Sequence, residues 1–288
     1  MNPLVAHLIS GQILFTALLA MVLLIILYEN CKQRGVRRLC AVLVCNSCLL
    51  GVCTAAYPWW LLGTLLATVG GWSVHSWIAV SGTVRNAITA APIMLAWIIV
   101  VTEAGWAMRP AISPISERSV VVFGDSLSAG LGEKEGTPWP DQLRDRKHVA
   151  VTNLSEAGAT TADGLKNVFQ TDHVPGLVII ELGGNDLLGG VALADFEKNL
   201  DGILSHLRSH NRTVVMVELP LLPGKNAWGG TQRRLSRQYR CRLIPKRLLV
   251  DVLAAPGSTT DTLHLSQTGH QRLAEQIWSV IGPGLPSI

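Results

Sequence analysis

Residues 120–132 read Val-Val-Val-Phe-Gly-Asp-Ser-Leu-Ser-Ala-Gly-Leu-Gly, an apolar run that stops abruptly at small and polar residues. The first four residues are β-branched or aromatic, which is typical of a strand buried on both faces of a sheet. Ser126 comes directly after this predicted strand, and in open α/β sheets ligands bind at the carboxyl ends of the strands. The position suits a catalytic nucleophile, although an ordinary turn favours the same residue types.

From residue 118 onward, short apolar runs alternate with amphipathic helical patterns. The predicted strands lie near 119–123, 148–152, 177–182, 213–218 and 243–250. The predicted helices lie near 137–146, 162–169, 193–209, 230–240 and 268–281. Such alternation predicts an α/β domain in which a parallel sheet is sandwiched between helices by right-handed crossovers.

The chain upstream of this domain has the composition of a membrane region, since it is overwhelmingly apolar and contains six of the nine Trp residues. We therefore expect an α-helical transmembrane region at 1–108, a short linker at 109–117 and the soluble domain at 118–284. About four spans are expected, near 8–28, 39–57, 59–80 and 87–108. The third is ambiguous because its second half contains glycine, serine and histidine.

The side of the membrane follows from the basic residues after the first span, which the positive-inside rule assigns to the cytoplasm. These are Lys32, Arg34, Arg37 and Arg38. With four spans, the soluble domain emerges outside, and we expect a bacterial inner-membrane protein with a periplasmic domain. With three spans it would be cytoplasmic. A plain anchor remains the simplest interpretation of the whole region.

Charge and cysteine content argue against several other functions. The net charge is +4, but no basic stripe is interleaved with aromatic residues, so no nucleic-acid partner is expected. Of six cysteines only Cys241 belongs to the soluble domain, which excludes a disulfide within it. Cys45 and Cys48 lie in an apolar run without a second ligand pair, which favours lipid-buried thiols over a metal or redox site.

Four histidines of the soluble domain lack ligand spacing with carboxylates or cysteines, so neither a metal nor another cofactor is predicted. They are His148, His173, His206 and His210. A basic cluster is interpreted as a solvated helix face, with anionic lipid or polysaccharide contact as the alternative. It comprises Arg233, Arg234, Arg237, Arg240, Arg242, Lys246 and Arg247.

Loops after the predicted strands supply further polar groups. Gly158 follows the second strand, where its backbone can approach a ligand, and Asn185 follows the third with a side-chain amide. Near the C-terminus, Asp261 precedes His264 by three residues, a spacing that lets the carboxylate hold the imidazole in one tautomer. Together these residues predict serine-dependent ester cleavage, with His264 as the base for Ser126.

In this mechanism the developing oxyanion is received by the N–H groups of Ser126 and Gly158 and by the amide of Asn185. Three neighbouring residues are expected to act structurally. Asp186 would stabilise its loop, Ser128 would order the turn, and His270 would pack or cap a helix.

The sequence blocks resemble those of the SGNH (GDSL) hydrolase superfamily, near the bacterial thioesterase I/lysophospholipase L1 group. The blocks are Gly124–Ser128, Gly158, Gly184–Asp186 and Asp261 with His264, in this order, and the resemblance covers residues 118–282. It implies a flavodoxin-like α/β/α fold and metal-free ester or thioester hydrolysis, with the catalytic residues in the roles given above.

Two departures from the family matter. Leu265-Ser266 stands where the family commonly has a proline, and residues 219–228, which flank the acyl pocket in relatives, match only loosely. Acyl preference therefore does not follow from the resemblance. We expect a membrane-tethered serine esterase acting on acyl or acetyl esters of lipids or cell-envelope glycans. The alternative is a membrane protein that binds or transfers acyl groups beside a partner.

Overall fold

The computed structural model describes residues 1–76, 82–132, 135–172, 174–210, 212–261 and 263–287. It contains two compact units. The sheet unit comprises Met1–Ala6, Met108–Pro220 and Thr231–Ile288, and the helical unit comprises His7–Ala107 and Leu221–Gly230.

The helices that precede the sheet are α1 (Pro3–Ile9), α2 (Gln12–Asn30), α3 (Arg34–Val52), α4 (Trp59–His75) and α5 (Gly82–Ala107). By length and composition, α2, α3 and α5 qualify as membrane spans. The third expected span corresponds to α4, which has 17 residues, and its last expected positions, 77–80, lie outside the described residues. The number of spans therefore stays a prediction.

The helix ends differ from the expected spans for local reasons. Gly11 has a φ of 80°, and this left-handed residue separates α1 from α2, so the first long helix begins at Gln12 rather than near residue 8. The second begins at Arg34 and ends at Val52, so Arg34, Arg37 and Arg38, which were expected in the preceding loop, lie in its first two turns, whereas Lys32 precedes it.

The segment Leu221–Gly230 packs within the helical unit. Asn226 Nδ2 donates hydrogen bonds of 2.7 Å to the carbonyl oxygens of both Val52 and Ala55. The Gly224 N–H donates to the carbonyl oxygen of Cys53, 2.9 Å away. This segment covers most of the stretch at 219–228 that matches the family loosely, and its partners are the residues that follow or end α3.

The sheet unit is built on five parallel strands in the order β2-β1-β3-β4-β5. They are β1 (Ser119–Gly124), β2 (Ala150–Asn153), β3 (Leu177–Glu181), β4 (Val214–Val217) and β5 (Arg242–Ile244). This is the flavodoxin-like order, in which the chain direction across the sheet reverses between β1 and β3. The predicted α/β class is confirmed, and the reversal marks the edge where a ligand is expected.

Helices cover the sheet and connect its strands. They are α6 (Ser126–Ala129), α7 (Trp139–Lys147), α8 (Thr161–Asn167), α9 (Gly184–Leu188), α10 (Leu193–Ser209), α11 (Asn226–Gln238), α12 (Lys246–Ala254) and α13 (Gln267–Ile281), with 3-10 turns at Val168–Thr171 and Gly282–Gly284. Strand residues such as Val122, Ile179 and Val215 are fully buried in a core shared with α12 and α13. That core holds the strand ends in place.

Two segments differ from their predicted structure. The strand expected at 243–250 ends at Ile244, because Pro245 opens α12, whose Leu248, Leu249 and Val252 are buried at helical spacing. The expected linker at 109–117 packs on the sheet unit, since Ile112 is buried in the core and the Ile115 N–H donates to the carbonyl oxygen of Gly284, 2.9 Å away.

The basic cluster is not a uniformly solvated face. Arg233 and Lys246 are 4% and 2% exposed, and both approach the buried carboxylate of Glu218. The Arg233 Nε lies 2.7 Å and the Lys246 Nζ 3.6 Å from Glu218 Oε1. The expectation of a solvated surface is wrong for these two residues, because a buried carboxylate at the end of β4 requires compensating cations.

Candidate active site

Ser126 is the first residue of α6 and is separated from the end of β1 by Asp125 alone. Gly124, the last residue of that strand, pairs with Glu181 at the end of β3. Asp125 caps α6, because its Oδ1 accepts the N–H of Leu127 at 3.0 Å. The serine therefore lies at the carboxyl edge of the sheet, beside the reversal of strand order.

The buried side chain of Glu181 forms hydrogen bonds with this turn. Glu181 Oε2 accepts the hydroxyl of Ser128 at 2.8 Å, and Ser128 in turn accepts the indole N–H of Trp139 at 3.2 Å. Complete burial, together with the nearby charge of Asp125, raises the pKa of Glu181 well above its ordinary value. Ser128 orders the turn as expected, whereas Glu181 was not anticipated as part of it.

The pair of Asp261 and His264 forms a closed local hydrogen-bond system. Asp261 Oδ2 lies 2.7 Å from His264 Nδ1, while Oδ1 accepts the N–H groups of Leu263 and His264, each at 2.7 Å. These bonds, led by the one from the His264 ring, lower the pKa of Asp261. Since an ionised carboxylate only accepts, Nδ1 carries the proton and Nε2 keeps a lone pair for a base.

Two interactions connect the segments that carry the predicted site residues. Burial raises the pKa of Asp125, and a protonated His264 ring is near enough to oppose that rise. Asn185 Nδ2 donates to the carbonyl oxygen of Ala159 at 3.0 Å and lies 3.3 Å from Asp125 Oδ2. No hydrogen bond joins Ser126 to His264 in the described part of the chain, and such bonds often tighten only with substrate bound.

The backbone N–H groups of Ser126 and Gly158 have no acceptor among the residues that the structure describes. Ser126 begins a helix, where N–H groups lack intrahelical partners. Gly158 has a φ of 80°, a conformation that favours glycine. Both groups are therefore available to a developing negative charge.

Asp186 has the structural role expected of it. Its Oδ2 accepts the Thr161 N–H at 2.9 Å, and its Oδ1 accepts the Thr161 hydroxyl. This joins the start of α9 to the start of α8. His270 is fully buried, as expected for a packing residue, and its Nε2 lies 3.7 Å from Glu135 Oε2.

One group of metal-ligating residue types was missed by reasoning from spacing. Asp172, His206 and His210 offer ligand atoms that all lie within 4.8 Å of one another. His206, on α10, and His210, the residue that follows α10, are four apart in the sequence, which is a visible signal, but Asp172 is distant in sequence. His148 does not belong to this group, and His173 lies outside the described residues.

Residues 122–272 match the GDSL-like lipase/acylhydrolase family, which is slightly more than half of the chain. The chain belongs to this family. The hydrolase matches an esterase, TesA of Pseudomonas aeruginosa, with 30% identity over 58% of this chain and 89% of the relative. It also matches thioesterase 1/protease 1/lysophospholipase L1 of Escherichia coli, with 30% identity over 57% of this chain and 84% of the relative.

A crystal structure of TesA has the same fold, with a TM-score of 0.51 and 30% identity across 58% of this chain and 99% of that one. A psychrotrophic esterase, EstA of a Pseudoalteromonas species, shares the fold at 20% identity with a TM-score of 0.51. This GDSL-like hydrolase is accordingly a serine hydrolase of ester bonds.

Proposed function

We propose that this hydrolase is a membrane-tethered serine esterase that cleaves acyl or acetyl esters of lipids or cell-envelope glycans. Ser126 is the nucleophile, His264 the general base and Asp261 the carboxylate that orients it. The 2.7 Å contact between Asp261 Oδ2 and His264 Nδ1 supports the proposal, because it leaves Nε2 as the nitrogen that can act as a base.

The chemical steps follow from these groups. His264 Nε2 takes the proton from Ser126 Oγ as the oxygen attacks the ester carbonyl, and the protonated ring then gives that proton to the leaving alcohol. Water, deprotonated by the same nitrogen, attacks the acyl-enzyme and releases the acid, and Ser126 regains its proton. Asp261 stays ionised throughout and stabilises the imidazolium.

The oxyanion of each tetrahedral intermediate is stabilised by three donors. The N–H groups of Ser126 and Gly158 lack acceptors among the described residues, so they require no rearrangement to receive it. The amide of Asn185 is already held near Asp125. Preorganised donors of this kind stabilise charge that develops only in the transition state.

Exposed leucines in the segments that carry the proposed site residues favour an acyl substrate. Leu131 follows α6, Leu188 ends α9 and Leu263 adjoins His264, and they are 52%, 57% and 47% exposed. Each lies in or beside a segment that carries a proposed site residue. Exposed apolar side chains in these segments suit an ester whose acyl or alcohol part is apolar.

The membrane helices would hold the enzyme close to such substrates. Three helices, α2, α3 and α5, are long and apolar enough to cross a bilayer. We propose four spans in a bacterial inner membrane, with α4 as the remaining one and the catalytic domain in the periplasm. Tethering raises the effective concentration of the site at envelope esters without any new contact.

The test uses the full chain in detergent micelles and p-nitrophenyl acetate, butyrate and octanoate as substrates. Ser126→Ala should abolish turnover, whereas Ser155→Ala, which removes another serine hydroxyl from a loop after β2, should keep it. The Ser155 hydroxyl has no partner among the described residues. Full activity in Ser126→Ala would refute the nucleophile, and the chain-length profile separates acetyl from longer acyl substrates.

Hydrolysis and acyl transfer are separated by adding a sugar acceptor. Release of free acid at an unchanged rate supports the esterase. If the acylated acceptor is the main product and its formation still requires Ser126, the reaction is acyl transfer by the same residues rather than hydrolysis.

A further inference from the structure

Three side chains of types that can bind metals lie close together in the sheet unit, at the amino edge of the sheet. This edge is opposite the one that carries Ser126. Asp172 follows the 3-10 turn before β3, and His206 and His210 lie one turn apart at the end of α10, before β4. Asp172 Oδ1 is 2.7 Å from His206 Nε2 and 3.9 Å from His210 Nε2. This edge takes no part in the proposed ester cleavage.

The tautomer of His210 can be assigned from its contacts. Its Nδ1 lies 2.9 Å from the carbonyl oxygen of His206 and 3.1 Å from the Ser209 hydroxyl. A carbonyl only accepts, so Nδ1 carries the proton and Nε2 presents its lone pair on the side of Asp172. In almost every metal-ligating histidine, the ring nitrogen that does not bind the metal donates a hydrogen bond in this way, and that bond fixes the orientation of the ring.

The backbone that carries Asp172 is held on both sides. Arg212 donates to the carbonyl oxygens of Thr171 and Gly176, and Thr171 closes the 3-10 turn through its hydroxyl and the carbonyl oxygen of Val168, 2.7 Å away. Arg212 also attracts the carboxylate of Asp172, so a bound cation would share that carboxylate with a guanidinium. The ligands are thus largely positioned before any ion binds.

Solvent can reach the three side chains. The side chains of Asp172, His206 and His210 are 24%, 26% and 45% exposed. Asp172 also lines a cleft of about 640 Å³ that is bordered by Glu117 and Arg212. An ion has a path to the site, and water can fill the coordination positions that the protein leaves open.

We propose that Asp172, His206 and His210 bind a divalent transition-metal ion, with zinc as the reference case. Two imidazole nitrogens and one carboxylate oxygen are ligands that Zn²⁺ prefers. Zinc bonds of about 2.0–2.2 Å place neighbouring donor atoms about 3 to 4 Å apart. Asp172 Oδ1 and His206 Nε2, 2.7 Å apart in a hydrogen bond, would therefore separate slightly, and His206 Nε2 would release to solvent the proton that it donates to the carboxylate. The ion would link the end of the 3-10 turn to the end of α10, which makes it structural rather than catalytic.

The experiment measures zinc binding to the full chain in detergent, carrying no polyhistidine tag and stripped with a chelator. A competing chromophoric chelator gives affinity and stoichiometry. We expect Asp172→Asn and His210→Gln each to weaken one site at least tenfold. The matched control is His148→Asn, since His148 is exposed and its φ of 52° is one that asparagine tolerates.

Zinc should also raise the unfolding midpoint of the wild type but not of these variants, as expected for a ligand that binds only the folded state. His210→Gln leaves the contact between Asp172 and His206 in place, so a variant that folds is available. Equal zinc affinity and stoichiometry in the wild type, Asp172→Asn and His210→Gln would overturn the proposal. Saturation of the wild type only at millimolar zinc would overturn it as well.

Discussion

Asn185 Nδ2 donates to the carbonyl oxygen of Ala159, 3.0 Å away, and more weakly to Asp125 Oδ2, 3.3 Å away, so the proposed role requires the second hydrogen to turn from Asp125 to the oxyanion. Asn185→Ala should lower kcat by about 10² to 10³ with a smaller effect on KM, because one donor to the transition state is lost. Steady-state kinetics on p-nitrophenyl butyrate measures this. Asn167→Ala on α8 is the matched control. A kcat within threefold of the wild type in a folded Asn185→Ala protein would exclude the role.

Glu181 links stability to pH because it is held neutral by burial. The pKa of Glu181 is raised in the folded protein. The contribution of its neutral carboxyl group to the free energy of unfolding is therefore complete below pH 4.5, the ordinary pKa of a glutamate, and is lost as the pH rises through the raised pKa. Relative to wild type, Glu181→Gln should therefore gain free energy of unfolding from pH 4.5 upward, by at most about 1.4 kcal/mol per pH unit. Thermal unfolding between pH 5 and 8 tests this.

Glu218 provides a comparison of opposite sign. Burial alone would raise its pKa, but the attraction of Lys246 and Arg233 outweighs burial and lowers it. Its stabilising contribution is therefore present above pH 4.5 and declines as the pH falls through the lowered pKa. If Glu181→Gln and Glu218→Gln shift stability with the same pH dependence, the assignment of the neutral carboxyl group is wrong.

At the residue scale, the sequence predicted the chemical groups but not their supports. Ser126, Asp261 and His264 are predicted site residues because Ser126 follows a strand and because the spacing of Asp261 and His264 suits a carboxylate that orients an imidazole. Glu181 reads as the last residue of a strand, and only the strand pairing places it beneath the nucleophile turn. Contacts between segments distant in sequence are not visible as patterns.

At the element scale, the end of β4 is joined to α11 and α12 by a buried ionic cluster. Glu218→Ala should destabilise the sheet unit by about 3 to 5 kcal/mol, because it leaves the cations of Arg233 and Lys246 without their carboxylate. Glu197→Ala, which breaks the exposed pair with Arg234, should cost less than about 1 kcal/mol. Chemical denaturation measures the free energy of unfolding of both variants. Equal losses in the two would contradict the distinction between the buried cluster and the exposed ion pair.

The elements themselves were mostly predictable, because buried strands and amphipathic helices have different periods. The helix α12 was missed since Leu-Leu-Val reads as a strand in isolation, and only Pro245 marks the change. The burial of Arg233 and Lys246 was missed for a similar reason. A charge is placed in a core by its partner, and Glu218 lies 15 residues from Arg233 in the sequence.

At the scale of the whole molecule, the segment Leu221–Gly230 depends on residues of the helical unit. A fragment from residue 108 to the end lacks the carbonyl partners of Asn226 at Val52 and Ala55. Trypsin should therefore cleave after Lys225 at least tenfold faster in the fragment than in the full chain. Cleavage after Lys147 on α7 serves as the control, and Asn226→Ala in the full chain should give an intermediate rate.

Equal cleavage after Lys225 in both proteins would show that the helical unit does not hold this segment. The sequence indicated only that residues 219–228 depart from the family pattern. It could not indicate their partners, because hydrogen bonds to backbone carbonyl oxygens leave no trace in residue identity.

The most direct measurement is covalent labelling of the full chain in detergent with a fluorophosphonate, followed by peptide mass spectrometry. We expect one adduct per chain, on Ser126, that forms in step with the loss of esterase activity and is absent from Ser126→Ala. Because His264 activates the serine, His264→Ala should label at least a hundredfold more slowly. An adduct on another residue of the active enzyme, or complete inactivation without a label on Ser126, would contradict the account.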